Sequence, residues 1–287
     1  MENIRGSVLM VAAMAGFALE DMFIKRATQS LPVGEVLMIF GLCGMLAFMA
    51  LTRMRGQRIV HPAVLSRPMI VKAVMEVMGR LGYTLGIALT PLSNASAILQ
   101  ATPLVVVAGA ALLFGEKVGP RRWSAILIGF VGVLIVLRPG MEGFVPAALF
   151  TVMGMLGFAG RDLATRAAPP VLSNMQLGIY GFAMLIPTGG AILAYTGGAA
   201  VPGTAAAGQL LAASAFGVAA YWGLTAAMRI GEVAVVTPFR YTRLIFALIL
   251  GVLVFGERPD AATLIGAAII IASGVYTLVR QRRARQG

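Results

Sequence analysis

One cysteine, one histidine and two tryptophans occur in 287 residues, and only 12% of the chain is charged. With Cys43 alone, an intrachain disulfide is excluded, and a cysteine-based metal site has no second thiolate. No metal-ligand cluster, Ser-His arrangement or paired-aspartate catalytic constellation stands out, so neither an enzyme nor a metal cofactor is expected. A Gly-rich loop ending in Lys-Ser or Lys-Thr is also missing, which removes the usual grip on a nucleotide triphosphate. The shortage of charge is the most telling absence, because soluble domains carry about 25% charged residues.

What fills the space is apolar. Hydrophobic residues make up 59% of the chain and the mean hydropathy is +0.89. A bilayer span needs about 20 such residues. Apolar runs between charges and turn residues predict ten spans, at roughly 5–26, 34–52, 69–89, 94–114, 122–138, 144–165, 174–195, 207–228, 233–255 and 261–279. No charge occurs from Ala167 to Met228, a stretch that fits two spans broken near Thr196-Gly197-Gly198. Arg5 followed by Ser7 to Leu19 and the triplet Ala13-Met14-Ala15 loosely resembles a signal peptide. The apolar segment runs on toward Lys25, however, and reads as a first span.

The net charge of +12 does not imply nucleic acid, because the cations sit between apolar stretches rather than on one basic face. They report orientation instead. Assigning alternate loops to opposite sides puts 15 of the 23 Lys and Arg residues on one side and four on the other, with Arg80, Arg161, Arg240 and Arg243 inside spans. The positive-inside rule then places both termini in the cytoplasm.

A repeat organises the spans. Ala111-Leu112-Leu113-Phe114-Gly115-Glu116-Lys117 returns as Val252-Leu253-Val254-Phe255-Gly256-Glu257-Arg258, at an offset of 258 − 117 = 141. Each copy ends the fourth span of a five-span half, giving halves 1–141 and 142–287. Five is odd, so the halves are expected to be inverted, a recurrent plan of secondary transporters whose site lies between the repeats.

These residues, with Pro103-Leu104, Arg138-Pro139-Gly140, Thr237-Pro238-Phe239-Arg240-Tyr241, Arg258-Pro259-Asp260, Gly266 and Ser273-Gly274, resemble the drug/metabolite transporter superfamily, EamA type. The resemblance covers nearly the whole chain. It implies an all-α polytopic carrier of ten helices in two inverted five-helix repeats, working by alternating access, with a small molecule and the lipid bilayer as its partners. YddG-type amino-acid exporters and carriers of riboflavin or S-adenosylmethionine all belong to this group. The resemblance leaves a monomer open as the working unit, and the energy would come from a gradient.

Buried charge gives the candidate site. An ionisable group deep in a span costs at least about 2.5 kcal/mol and needs a partner or a watery cavity. Lys72, Glu76 and Arg80 follow one another at four-residue spacing on one helix face, so a ladder is expected there, either bracing helices or handling substrate or protons. Glu20 and Asp21 are expected to pair with Lys25 one turn on, and Arg161 with Asp162 as an interfacial pair. Arg243 falls near mid-depth, whereas Arg240 can snorkel. Tyr83, Gln100, Tyr221, Trp222 and Tyr241 are candidates to line the cavity. Glu76 is the first candidate for proton coupling, followed by Glu20 and Asp21.

Overall fold

A computed structural model describes residues 2–115, 118–141, 143–230 and 236–286. Glu116 and Lys117, which close the first copy of the repeated motif, therefore lie outside the described residues. Every regular element described is helical: α1 (Glu2–Ala27), α2 (Val33–Met54), α3 (Arg67–Leu89), α4 (Leu92–Leu99), α5 (Thr102–Phe114), α6 (Pro120–Leu137), α7 (Ala148–Arg166), α8 (Asn174–Ala183), α9 (Leu185–Thr196), α10 (Thr204–Ile230), α11 (Thr242–Phe255) and α12 (Ala261–Gln286), with 3-10 turns at Pro62–Leu65 and Thr237–Tyr241.

Among the described residues, seven helical stretches are long and apolar enough to cross a membrane. They are α1, α2, α4 with α5, α6, α8 with α9, α10, and the stretch from Pro238 through α11. Three of the ten expected spans are not in this set. In α12 the apolar part, Ala261–Thr277, is short; α3 and α7 hold the charges Lys72, Glu76, Arg80, Arg161 and Asp162, of which Lys72 and Glu76 are buried.

Proline explains the two interruptions. Pro103 leaves the Leu99 carbonyl without its helical donor, and the Thr102 hydroxyl donates to that oxygen at 2.5 Å. The break between α4 and α5 falls there. Pro187 likewise deprives Ala183 of a donor, and α8 ends at Ala183. The repeated Phe-Gly segments end α5 and α11 alike: Gly115 and Gly256 take the left-handed conformation at φ +64°, which glycine adopts without steric cost.

Helix contacts follow the same offset. On α1 and α10, an added Cβ on Gly16 would lie 3.0 Å from Ala220, and one on Gly223 would lie 3.3 Å from Ala13. On α7 and α3, Gly157 meets Gly79 and Gly154 meets Gly82 through their backbones. Adding 141 to 13, 16, 79 and 82 gives 154, 157, 220 and 223, so the two close-packed pairs exchange with one another. Gln100 Nε2 donates to the Tyr241 carbonyl at 3.1 Å, and 241 − 100 is again 141.

The register of contacts fixes helix directions. Glu20 with Arg80, Asp21 with Tyr83 and Lys25 with Thr90 advance together, so α1 and α3 run parallel. Gly79 with Gly157, Gly82 with Gly154 and Gly86 with Thr151 run in opposite senses, so α3 and α7 are antiparallel. The connecting loops fall into two groups. At one end Lys25 pairs with Glu257, Glu257 accepts from the Ser93 amide, Ala200 donates to Glu35 and Arg138 pairs with Asp260. At the other, Gln176 donates to the Arg58 carbonyl, Tyr180 bridges Ile59 and His61, and Arg55, Ser173 and Ile230 line one cavity.

Candidate functional site

The central polar cluster is assembled by α1, α3, α4 and α11. Glu20 and Asp21 are adjacent on α1, so their side chains leave the helix about 100° apart and find different partners. Arg80 Nη1 donates to Glu20 Oε1 at 2.6 Å. Asp21 Oδ2 receives Arg243 Nη2 at 2.6 Å, Arg243 Nε at 3.1 Å and the Tyr83 hydroxyl at 3.1 Å. Tyr83 also lies 3.4 Å from the Ser96 hydroxyl. Asp21 is 0% exposed and Glu20 1%, and each carboxylate is matched by one guanidinium.

Aromatic rings complete the setting of the cations. Arg80 lies over Phe40 at 4.9 Å and Phe158 at 5.7 Å; Arg243 lies over Phe17 at 5.1 Å and Tyr83 at 5.6 Å. A ring face attracts a cation while remaining apolar toward its other neighbours, so the rings seat the guanidinium groups within an apolar wall.

A second cluster lies one turn nearer the start of α3. Glu76 sits 3.4 Å from Lys72 Nζ and 3.4 Å from Arg161 Nη1. Arg161 also pairs with Asp162 at 2.8 Å, and Lys72 Nζ donates to the Leu177 carbonyl at 3.3 Å. The count is again two carboxylates to two cations.

The expected ladder is therefore divided. Lys72 does pair with Glu76, but Arg80 turns away to Glu20, whose carboxylate is closer and wholly buried. Glu20 and Asp21 do not pair with Lys25, which reaches Glu257 instead at 3.3 Å. Arg161 and Asp162 do pair, and Arg161 extends that pair inward to Glu76, a role not legible from its place near a helix end.

The remaining candidates separate. Gln100 bridges the α4–α5 break to the carbonyls of Arg240 and Tyr241. Tyr241 is buried against Gly274. Tyr221 stacks edge-on with Phe48 at 5.1 Å and donates to the Asn174 carbonyl at 3.2 Å. Trp222 is 47% exposed and lines a lateral apolar groove with Cys43, Leu51 and Val218. It does not join the central charges. Sequence reasoning also missed Glu257 and Ser96; the repeated Phe-Gly-Glu motif was the available signal for Glu257.

Buried, charge-matched side chains enclosed by apolar helices, with broken helices beside them, define a polytopic membrane transport protein. Residues 4–138 and 145–279 each match the EamA-like transporter family, and the chain belongs to that family. It is 30% identical over 214 residues to a riboflavin transporter of Rhizobium johnstonii, covering 75% of this chain and 70% of the relative. An S-adenosylmethionine uptake transporter of Rickettsia bellii is 25% identical, covering 76% and 75%. A pseudopaline exporter of Pseudomonas aeruginosa is 27% identical over 275 residues, covering 93% and 94%. A solved crystal structure aligns with a TM-score of 0.63 at 17% identity over 96% of this chain and 98% of its own, a likeness of fold alone.

Proposed function

We propose that this protein is a secondary transporter that exports small amphipathic metabolites such as amino acids across the bacterial cytoplasmic membrane by alternating access. The observation that carries this reading is the pair of buried ion pairs, Glu20–Arg80 and Asp21–Arg243, contributed by helices of both matched segments. A solute bearing both an ammonium and a carboxylate can exchange with either partner while the site stays neutral, which avoids leaving a buried charge uncompensated.

The architecture proposed is ten spans in two inverted halves, 1–141 and 142–287, with both termini cytoplasmic. Three observations support it. The packed pairs on α1·α10 and α7·α3 exchange under an offset of 141. With α1 parallel to α3 and α3 antiparallel to α7, the equivalent helices α1 and α7 run oppositely. The two groups of loops are those that alternation of ten spans would create, and the basic residues favour one group. Reporter fusions after Gly287 and near Gly197 are expected on opposite sides.

Relatives that carry riboflavin or take up S-adenosylmethionine favour a second reading, import of a cofactor-like solute. Purified protein in liposomes, screened by counterflow with labelled amino acids, riboflavin and S-adenosylmethionine, separates the two. Exchange of amino acids alone supports the first reading, and exchange of the cofactors alone replaces it with the second. A driving proton would use Glu76, Glu20 or Asp21, and transport indifferent to an imposed pH gradient would remove that coupling.

A further inference from the structure

Lys25, Ser93, Phe255 and Glu257 form a cluster that neither polar site uses. The Glu257 carboxylate accepts from the Leu92 and Ser93 amides and from the Ser93 hydroxyl at 2.7 Å. It thus occupies the N-terminus of α4, where unpaired amides favour an anion. Lys25 Nζ lies 3.3 Å from Glu257, donates to the Thr90 carbonyl at 2.6 Å, and sits 5.1 Å from the Phe255 ring centre. Three elements are tied by these contacts: the end of α1, the α3–α4 turn and the end of α11. The same chains of residues carry Asp21, Tyr83, Ser96 and Arg243 deeper in the protein. Lys25 is one turn beyond Asp21, about 6 Å along α1.

The arrangement has a counterpart at the other end. Lys25 + 141 is Arg166 and Phe255 − 141 is Phe114, and Arg166 lies over the Phe114 ring at 5.3 Å. A cation on an aromatic ring, next to a left-handed glycine that ends a helix, therefore occurs at each end of the fold at equivalent positions.

Resting on the carrier reading above, we propose that Lys25 and Glu257 are the gate residues of the outer face. Their pair, seated on the Ser93 end of α4, closes the path to the central cluster in the conformation described here, and it parts when that face opens. The Arg166–Phe114 contact is the corresponding closure on the cytoplasmic face. Both contacts are formed in this conformation, so it is closed at both faces. A contact present in the closed states and lost in the outward-open one biases the equilibrium between them by its own free energy, and weakening the outer pair must expose the centre to the outside.

Accessibility tests this without knowledge of the solute. In a Cys43→Ser background, Ser96→Cys places a thiol in the central cluster, and a membrane-impermeant maleimide added outside intact cells reads its exposure. Glu257→Gln is expected to raise the labelling rate about tenfold, a shift of about 1.4 kcal/mol in the equilibrium between the closed and outward-open states. Glu257→Asp should lie between the two, and Ser93→Ala should give a smaller rise if Glu257→Gln folds poorly. Arg166→Gln should raise labelling from the cytoplasmic side in inverted vesicles and lower it from outside. Unchanged outside labelling in folded Glu257→Gln and Ser93→Ala proteins would overturn the gate. Lack of transport of every solute tested, with labelling behaving as stated, would instead count against the carrier reading.

Discussion

The Glu20–Asp21 region of α1 and the Arg161–Asp162 region of α7 occupy equivalent places, since 161 − 20 and 162 − 21 are both 141. Their scaffolds match: Phe17 corresponds to Phe158, and the glycine contacts that let α1 approach α10 correspond to those between α7 and α3. Their chemistry does not. Glu20 stands where α7 has Arg161, Arg80 corresponds to Tyr221, and Glu76 corresponds to Gly217, whose added Cβ would lie 2.9 Å from Glu20. Backbone packing has kept the symmetry while the polar groups have diverged. A symmetric frame thus holds a one-sided site, with the central ion pairs on the α1 side and a Glu76-bridged network on the α7 side.

The largest effect that would break this comparison is loss of one partner in the central cluster. Glu20→Gln or Arg80→Gln alone leaves a buried charge unpaired and is expected to destabilise by about 3–5 kcal/mol, read as thermal stability in detergent. Glu20→Gln with Arg80→Gln should recover most of that loss. Pairing Arg80→Gln with Glu76→Gln should not, because Glu20 then loses its guanidinium and Lys72 its carboxylate, while Arg161 keeps only Asp162.

Packing comes next. Gly157→Ala forces a Cβ into the Gly79 backbone and is expected to cost about 1–3 kcal/mol. Gly16→Ala meets the Ala220 side chain at 3.0 Å and should cost less, although the two positions are equivalent. In the second cluster, Lys72→Met should cost about 1 kcal/mol, because Arg161 still partners Glu76.

The smallest effect lies outside the spans. The hydrogen bond from Arg138 and the Thr263 amide hold the Asp260 carboxyl at about 2, below its ordinary 3.8. A depressed carboxyl stabilises the fold above its unfolded value and loses that contribution as pH falls toward its folded value. Asp260 is half exposed, so the difference between wild type and Asp260→Asn should stay under about 1 kcal/mol near pH 6. It should shrink between pH 4 and pH 2 in thermal melts.

Much of the frame was legible because it is periodic. Apolar runs mark the helices, although among the described residues only seven stretches are long and apolar enough to cross a membrane, and the offset of 141 is carried by the Phe-Gly-Glu motif. The partners of the charges were not legible, because spacing along one helix reports only which residues share a face. Lys72, Glu76 and Arg80 share one, yet Arg80 pairs across to α1 and Glu76 across to α7. Glu20 and Lys25 are five residues apart on α1, and each is drawn to a different helix. Trp222 follows Tyr221 directly, and the turn of the helix sends it outward to the groove.

The central claim is that solute passes by exchanging with the Glu20–Arg80 pair of the central cluster. Counterflow in proteoliposomes, comparing wild type with the Glu20→Gln/Arg80→Gln protein at equal folded yield, tests it most directly. The account predicts that wild type accumulates labelled amino acid against preloaded unlabelled solute while the double variant, though folded, does not. A double variant that exchanges at the wild-type rate would show that the pair only braces helices and would contradict the account.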